Sequence, residues 1–149
     1  MISIVITSFN EPKTIGKAID SFLNQNIKEK YELIVAAPDK QTGDIVEEYK
    51  KHNKRINLFK DPGKGKSYAL NLLLPKLKGD ILIFTDGDVY VSENSVSEIL
   101  KLFDDSKVGC VSGRPVSQNS KENIFGYWSH LLCDSADKWR KERNIYENL

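Results

Sequence analysis

Five short runs of β-branched and apolar residues, at 2–7, 32–36, 56–59, 80–85 and 108–112, recur along the chain, and stretches of helical period fill the gaps between them. Each run is bounded by Gly, Pro, Asp or Asn, the punctuation expected of strands. Several are apolar at consecutive positions, which suits strands buried on both faces. Between the runs, Ile15, Ala18, Ile19, Phe22 and Leu23 share one helical stripe, and Ile45, Val46 and Tyr49 share a second. Ala69, Leu70, Leu73 and Leu77 form a third, and Val96, Ile99, Leu100 and Phe103 a fourth. Strands alternating with helices predict an α/β fold: a mostly parallel sheet with helices on both faces. Pro12 suits the first turn of the first helix, where its missing N–H has no helical partner. Ser92 reads as the N-cap of the fourth helix, with Glu93 in its first turn. Pro75 should end or kink the third near Leu74. Beyond Glu122 the pattern is one long, partly aromatic helix from Ile124 to about Arg143.

A length of 149 residues is ordinary for one such domain. Lys and Arg number 22 against 21 Asp and Glu, so the net charge of +1 gives no electrostatic footprint for DNA or RNA. The dense basic runs at 50–55 and 138–143 read first as solvated helix faces. Cys110 and Cys133 stand far apart, with no metal-ligand spacing, which points to free thiols in a reducing compartment. The first residues are already strand-like and carry no basic leader, and no stretch approaches the roughly 20 apolar residues of a membrane span. These features lead to the expectation of a cytoplasmic protein.

In an open parallel sheet the ligand lies in the crevice beyond the carboxyl ends of the strands. Residues just after the runs are therefore the informative ones. The fourth run delivers Asp86-Gly87-Asp88, two carboxylates with a Gly between them through which a ligand could approach. Hard divalent cations such as Mg2+ or Mn2+ take oxygen ligands of this kind, and a pyrophosphate needs such a cation to offset its charge. An Asp-Gly turn whose carboxylates cap the following segment is the plainer alternative. Gly63-Lys64-Gly65-Lys66-Ser67 could present backbone N–H groups to a phosphate at a helix start. A P-loop requires Gly where this chain has Lys60, so that reading stays a secondary one.

Three segments in order resemble the family 2 glycosyltransferases, inverting enzymes of the Rossmann-like GT-A fold. They are Ile4-Val5-Ile6-Thr7-Ser8-Phe9-Asn10-Glu11, then Asp61-Pro62-Gly63-Lys64-Gly65-Lys66 with Ala69-Leu70-Asn71, then residues 78–88 ending in Asp-x-Asp. The resemblance implies a donor-binding α/β domain over residues 1–115 and an aromatic, basic helical segment over 116–149 packing on the same domain. It implies that Asp88 ligates Mg2+ or Mn2+, that Asp86 touches the metal or the ribose, and that Thr7, Phe9, Asn10 and Glu11 line the nucleoside pocket. Gly65 and Lys66 would approach the base or diphosphate. Asp39 would supply the carboxylate that contacts the base, although the family's paired Asp there is replaced by Ala36-Ala37-Pro38. Arg114, after the fifth run, would meet a phosphate or sugar hydroxyl.

The implied reaction is attack of an acceptor hydroxyl, on a glycan or a lipid, at the anomeric carbon of a UDP- or GDP-sugar. Inversion needs a general base. The family's late acidic pair is missing, so the acceptor part is expected to be truncated or absent. Asp134 and Asp137, on one helix face, are the late candidates for the base. The terminal helix, with Phe125, Tyr127, Trp128, Leu131, Leu132 and Trp139 beside Lys138, Arg140, Lys141 and Arg143, is open to three partners: its own sheet, a second copy of the chain, or the inner face of a membrane. Two other functions compete with transfer, a P-loop-like NTPase or kinase and a non-catalytic sugar-nucleotide module.

Overall fold

The computed structural model of the chain describes the backbone of residues 1–147 and the side chains of residues 1–143. Four parallel strands, β1 (Ile2–Thr7), β2 (Tyr31–Ala36), β3 (Ile56–Phe59) and β4 (Ile81–Asp86), form one sheet in the order β3-β2-β1-β4. Between them run α1 (Ile15–Leu23), α2 (Lys40–His52), α3 (Lys66–Leu73) and a 3-10 turn at Leu74–Lys76; α4 (Ser95–Leu102) and α5 (Ile124–Glu147) follow. The chain divides into two compact units, residues 1–101 and residues from 102 onward.

The central strand explains why the sheet needs helices on both sides. All six residues of β1 are buried, and the two-residue period sends Ile2, Ile4 and Ile6 to one face and Val5 to the other. Ile2, Ile4 and Ile6 join Leu33, Val35 and Ile56 against Ile15, Ala18, Ile19 and Phe22 of α1 and Val46 of α2. Val5, Ile34 and Ala36 pack instead against Leu73 of α3, with Leu70 and Leu77 beside them. Each large apolar side chain so buried contributes about 1.5–3 kcal/mol. The α/β architecture expected from the alternating pattern is the one observed.

Pro75 acts as its ring predicts: the α-helix stops at Leu73 and a single 3-10 turn carries the chain past it. Three expectations need correction. Residues 108–112 form no strand; within the run 108–112, Gly109 and Cys110 are exposed, and β-branched residues with no neighbouring ladder and little to bury do not make one. Pro12 lies in the turn before α1, whose first residues are tied back to the Glu11 carbonyl. Ser92 spends its hydroxyl on Ser95 Oγ at 2.8 Å rather than on a helix N–H, and Glu98, not Glu93, is the acid of the first turn of α4.

The second unit is organised by polar contacts. On α5, Gly126, Ser129, His130, Cys133, Asp137 and Arg140 share one face and are its less exposed residues. Ser129 Oγ lies 2.6 Å from Ser117 Oγ and accepts from Asn119 Nδ2, and His130 Nε2 lies 2.8 Å from the Asn119 carbonyl. The apolar stripe of the same helix, Phe125, Trp128, Leu132 and Trp139, is more than half exposed. Among the described residues no helix is long and apolar enough to cross a membrane.

Candidate functional site

Strand order fixes where a site can form. The chain moves from β1 to β2 to β3 on one side and then returns to place β4 on the other side of β1. The order therefore reverses between β1 and β4, and a crevice opens beyond their carboxyl ends. Thr7 and Asp86, the last residues of these two strands, are direct partners across the ladder. Thr7 Oγ1 donates to Asp86 Oδ1 at 2.7 Å and lies 3.2 Å from the Thr85 carbonyl oxygen. Lys66, the first residue of α3, places its ammonium on the same Asp86 oxygen.

A cleft of about 430 Å³ opens at this point, lined by Thr7, Ser8, Phe9 and Glu11 at and beyond the end of β1, by Pro38 after β2, by Asp61, Gly63, Gly65 and Lys66 after β3, and by Asp86 and Asp88 at and beyond the end of β4. Gly63 and Gly65, at φ 70° and 96°, take left-handed conformations that few other residues adopt, and so turn the chain into α3. Asp61 braces this turn by accepting from the Gly63 N–H at 2.8 Å. Partial burial pushes the Asp86 carboxyl upward, but hydrogen bonds from Lys66 and Thr7 outweigh it and hold the group below the usual carboxylate range. Asp86 is therefore ionised at neutral pH.

The β1 loop is held from two directions. Ser8 Oγ donates to Glu11 Oε2 at 2.7 Å, and the Asn10 and Glu11 backbone N–H groups donate to Asp39 Oδ2 and Thr42 Oγ1 at the start of α2. Asn10 adopts φ 56° to make that turn. Gly87 is buried beneath this loop: a Cβ there would lie 2.5 Å from Glu11 Oε2 and from Ser8 Oγ. Its small size serves packing of the β1 loop against the β4 loop. The expected reason, room for an approaching ligand, is replaced by this one.

Of the residues singled out from the sequence, Thr7, Phe9, Glu11, Gly65, Lys66, Asp86 and Asp88 meet around one cleft. Asn10 and Asp39 are not among the residues that line it. Asp39 is the N-cap of α2, and its two oxygens are taken by the N–H groups of Thr42 and Asn10, both at 2.9 Å. Arg114 belongs to the second unit, where it pairs with Asp134 and Asp137 at 3.3 Å each. Asp137 also meets Lys141 at 2.9 Å, and this hydrogen bond, with the nearby Arg114 and Arg140 charges, holds its carboxyl below the ordinary value. Asp134 and Asp137 thus share a helix face as their spacing requires, but as members of an ion-pair cluster. Ser8, Pro38 and Asp61 also line the cleft; for Asp61 the available signal is the Asp-Pro-Gly turn after β3.

Among the described residues no group of three or more His, Cys, Asp or Glu side chains gathers to hold a metal. Asp86 and Asp88 nonetheless fit a hard cation of the Mg2+ type, which commonly takes one or two carboxylates from the protein and its remaining ligands from phosphate and water. The donor set at the β4 end is all oxygen, as such a cation requires.

A parallel sheet whose switch point carries Asp86, a glycine-rich turn and a lysine has its polar rim where open α/β sheets bind their ligands. Residues 3–148 match the model of glycosyl transferase family 2, and the chain belongs to that family. Similar proteins include the glycosyltransferase GlyA of Streptococcus pneumoniae, 26% identical over 99% of this chain and 21% of its own length. Beta-monoglucosyldiacylglycerol synthase of Nostoc sp. is 28% identical over 95% of this chain and 31% of its own length. Among solved structures, a mannosyltransferase from Pyrobaculum calidifontis in complex with GDP-Man and Mn2+ superposes with a TM-score of 0.68 at 23% identity, covering 76% of this chain and 36% of that one. S. aureus TarS 1–349 in complex with UDP-GlcNAc gives 0.61 at 22% identity, covering 82% and 38%. The fold is the GT-A type shared by these structures. The chain spans between a fifth and a half of the length of the first curated relatives it matches.

Proposed function

We propose that this chain is the donor-binding part of an inverting glycosyltransferase, which holds the diphosphate of a UDP- or GDP-sugar through a divalent cation at Asp86 and Asp88. The observation that carries this reading is the register of β1 and β4, which sets Thr7 and Asp86 side by side at the switch point, with Lys66 and Asp88 lining the same cleft. Thr7, Phe9 and Glu11 form the wall offered to the nucleoside. Gly63 and Gly65 let backbone approach the diphosphate closely, and Lys66 supplies a positive charge there. Mg2+ or Mn2+, when bound, supplies charge neutralisation for the diphosphate as it leaves. The chain's own contribution is orientation: Thr7 fixes the Asp86 carboxylate, and the Ser8–Glu11 bond fixes the wall beside it. Family membership, and neighbours solved with GDP-Man and Mn2+ or with UDP-GlcNAc, support the same reading.

The acceptor in this proposal is a hydroxyl of a glycan or a lipid. The exposed stripe of α5, with Arg143 stacked on Trp139, is an apolar and basic surface that suits a second copy of the chain or the inner face of a membrane. A second reading, a sugar-nucleotide module with no transfer of its own, is favoured by one observation: Asp134 and Asp137 are both committed to Arg114. The P-loop alternative predicts ATP turnover that depends on Lys66.

Calorimetry with UDP, GDP and ATP, each with and without Mn2+, separates the metal-centred diphosphate site from the P-loop alternative, and an assay of sugar transfer separates a transferase from a module that only binds. The proposal predicts diphosphate binding that weakens at least tenfold without metal or in Asp88→Ala, since a tenfold change corresponds to about 1.4 kcal/mol. Binding that ignores both would remove the metal-centred site.

A further inference from the structure

We propose that Lys66 and the divalent cation compete for Asp86 Oδ1, and that Lys66 passes from this carboxylate to the diphosphate when donor and metal enter together. The proposal rests on the donor-site reading above and assigns Lys66 a role in the order and coupling of binding.

Asp86 Oδ1 receives two donors, and they differ in freedom. Thr7 is buried and stands at the end of the β1–β4 ladder on a short, β-branched side chain, so its hydroxyl is held beside Asp86. Lys66 stands at the first position of α3 on a flexible stem, its side chain 52% exposed against 48% for Asp86. An ammonium is a compact point charge with rotatable donors, so it can leave one anion for another without disturbing the backbone that carries it. Of the two donors, Lys66 is the one built to move.

The charges then determine the consequence. A carboxylate oxygen already holding an ammonium is a poor ligand for a second cation, because like charges a few ångströms apart repel strongly where solvent screens them only in part. Asp88 is exposed and lines the same cleft, so it can offer a first contact, but the second protein ligand is held by Lys66. A diphosphate changes this by giving Lys66 a new anionic partner beside the Gly63–Gly65 turn, which frees Asp86 for the metal. Metal and diphosphate then help each other bind, through the lysine as well as through direct coordination, and the help is reciprocal.

The test is a Mn2+ titration of the whole chain without nucleotide, with free Mn2+ followed by electron paramagnetic resonance, for wild type, Lys66→Met and Lys66→Arg. Thermal melting of each variant confirms that it is folded. The expected result is Mn2+ binding about tenfold tighter in Lys66→Met and within about twofold of wild type in Lys66→Arg, because only the first removes the competing charge. A merely structural lysine would not tighten metal binding when lost. Unchanged or weaker Mn2+ affinity in Lys66→Met overturns the proposal, and if UDP or GDP binding is still Mn2+-dependent, the donor-site reading survives it. Absence of Mn2+ binding in every variant, together with metal-independent UDP and GDP binding, overturns both.

Discussion

Beneath the Ser8–Glu11 pair, Gly87 has no space for a side chain, since an added Cβ would lie 2.5 Å from Glu11 Oε2 and 2.8 Å from Ser8 Cβ. Replacement by Ala must break the Ser8–Glu11 hydrogen bond or shift the β4 loop that carries Asp86 and Asp88. Overpacking of this kind costs about 1–3 kcal/mol. Gly87→Ala is accordingly expected to lower the melting temperature by several degrees and to weaken UDP or GDP binding; an unchanged melting curve would show that the loop gives way freely. Two Asp residues around a Gly can be recognised in sequence as a ligand-bearing turn. What lies over the Gly cannot, because Ser8 and Glu11 are brought there by strand pairing 79 positions away in the chain (Gly87 to Ser8). The same limit applies to Asp39. That its oxygens accept from the N–H groups of Thr42 and Asn10 depends on how the β1 loop meets the start of α2, which its place after β2 does not reveal.

At the scale of elements, Asp39 shows how one cap supports two parts of the fold. It starts α2 and anchors the β1 loop, so Asp39→Ala should cost about 1–2 kcal/mol, read as a lowered denaturation midpoint. Burial pushes this carboxyl upward, but hydrogen bonds from the Thr42 and Asn10 backbone and the Thr42 side chain prevail, and its folded pKa lies below the ordinary value of 3.8. A depressed folded pKa gives stability that is present above the unfolded pKa and is lost as pH falls through the folded one. The destabilising effect of Asp39→Ala should therefore be full at neutral pH and shrink below about pH 4, as wild type itself loses the charged cap. A difference that stays constant to pH 3 would contradict this. Elements with strong internal signals were legible: β1, β3 and β4 fall on the short, mostly apolar runs read as strands, and α1 on a clear apolar stripe. Residues 108–112 had the same local signal but no ladder, since strand formation is decided by a neighbour that composition does not name. The start of α4 departs from the sequence expectation for a similar reason: the Ser92 hydroxyl pairs with Ser95 Oγ and not with a helix N–H.

For the molecule as a whole, the decisive fact is the strand order β3-β2-β1-β4. Once the sheet is parallel and reverses between β1 and β4, the crevice and its polar rim follow, which is why the cleft could be anticipated from residues after each run. The acceptor side could not be read in the same way. Arg114, Asp134 and Asp137 pair with one another within the unit that begins at residue 102, a cluster that their positions in the sequence do not announce. The proposed donor site brings metal and nucleoside diphosphate together at the β1–β4 switch point. Paramagnetic broadening in 1H–15N spectra tests it most directly, with trace Mn2+ added to the chain in the presence of UDP or GDP. Amide signals of Thr7, Ser8, Gly63, Gly65, Asp86, Gly87 and Asp88 should broaden first and recover when Mn2+ is chelated. Broadening centred elsewhere, or none at all with diphosphate present, would contradict the account.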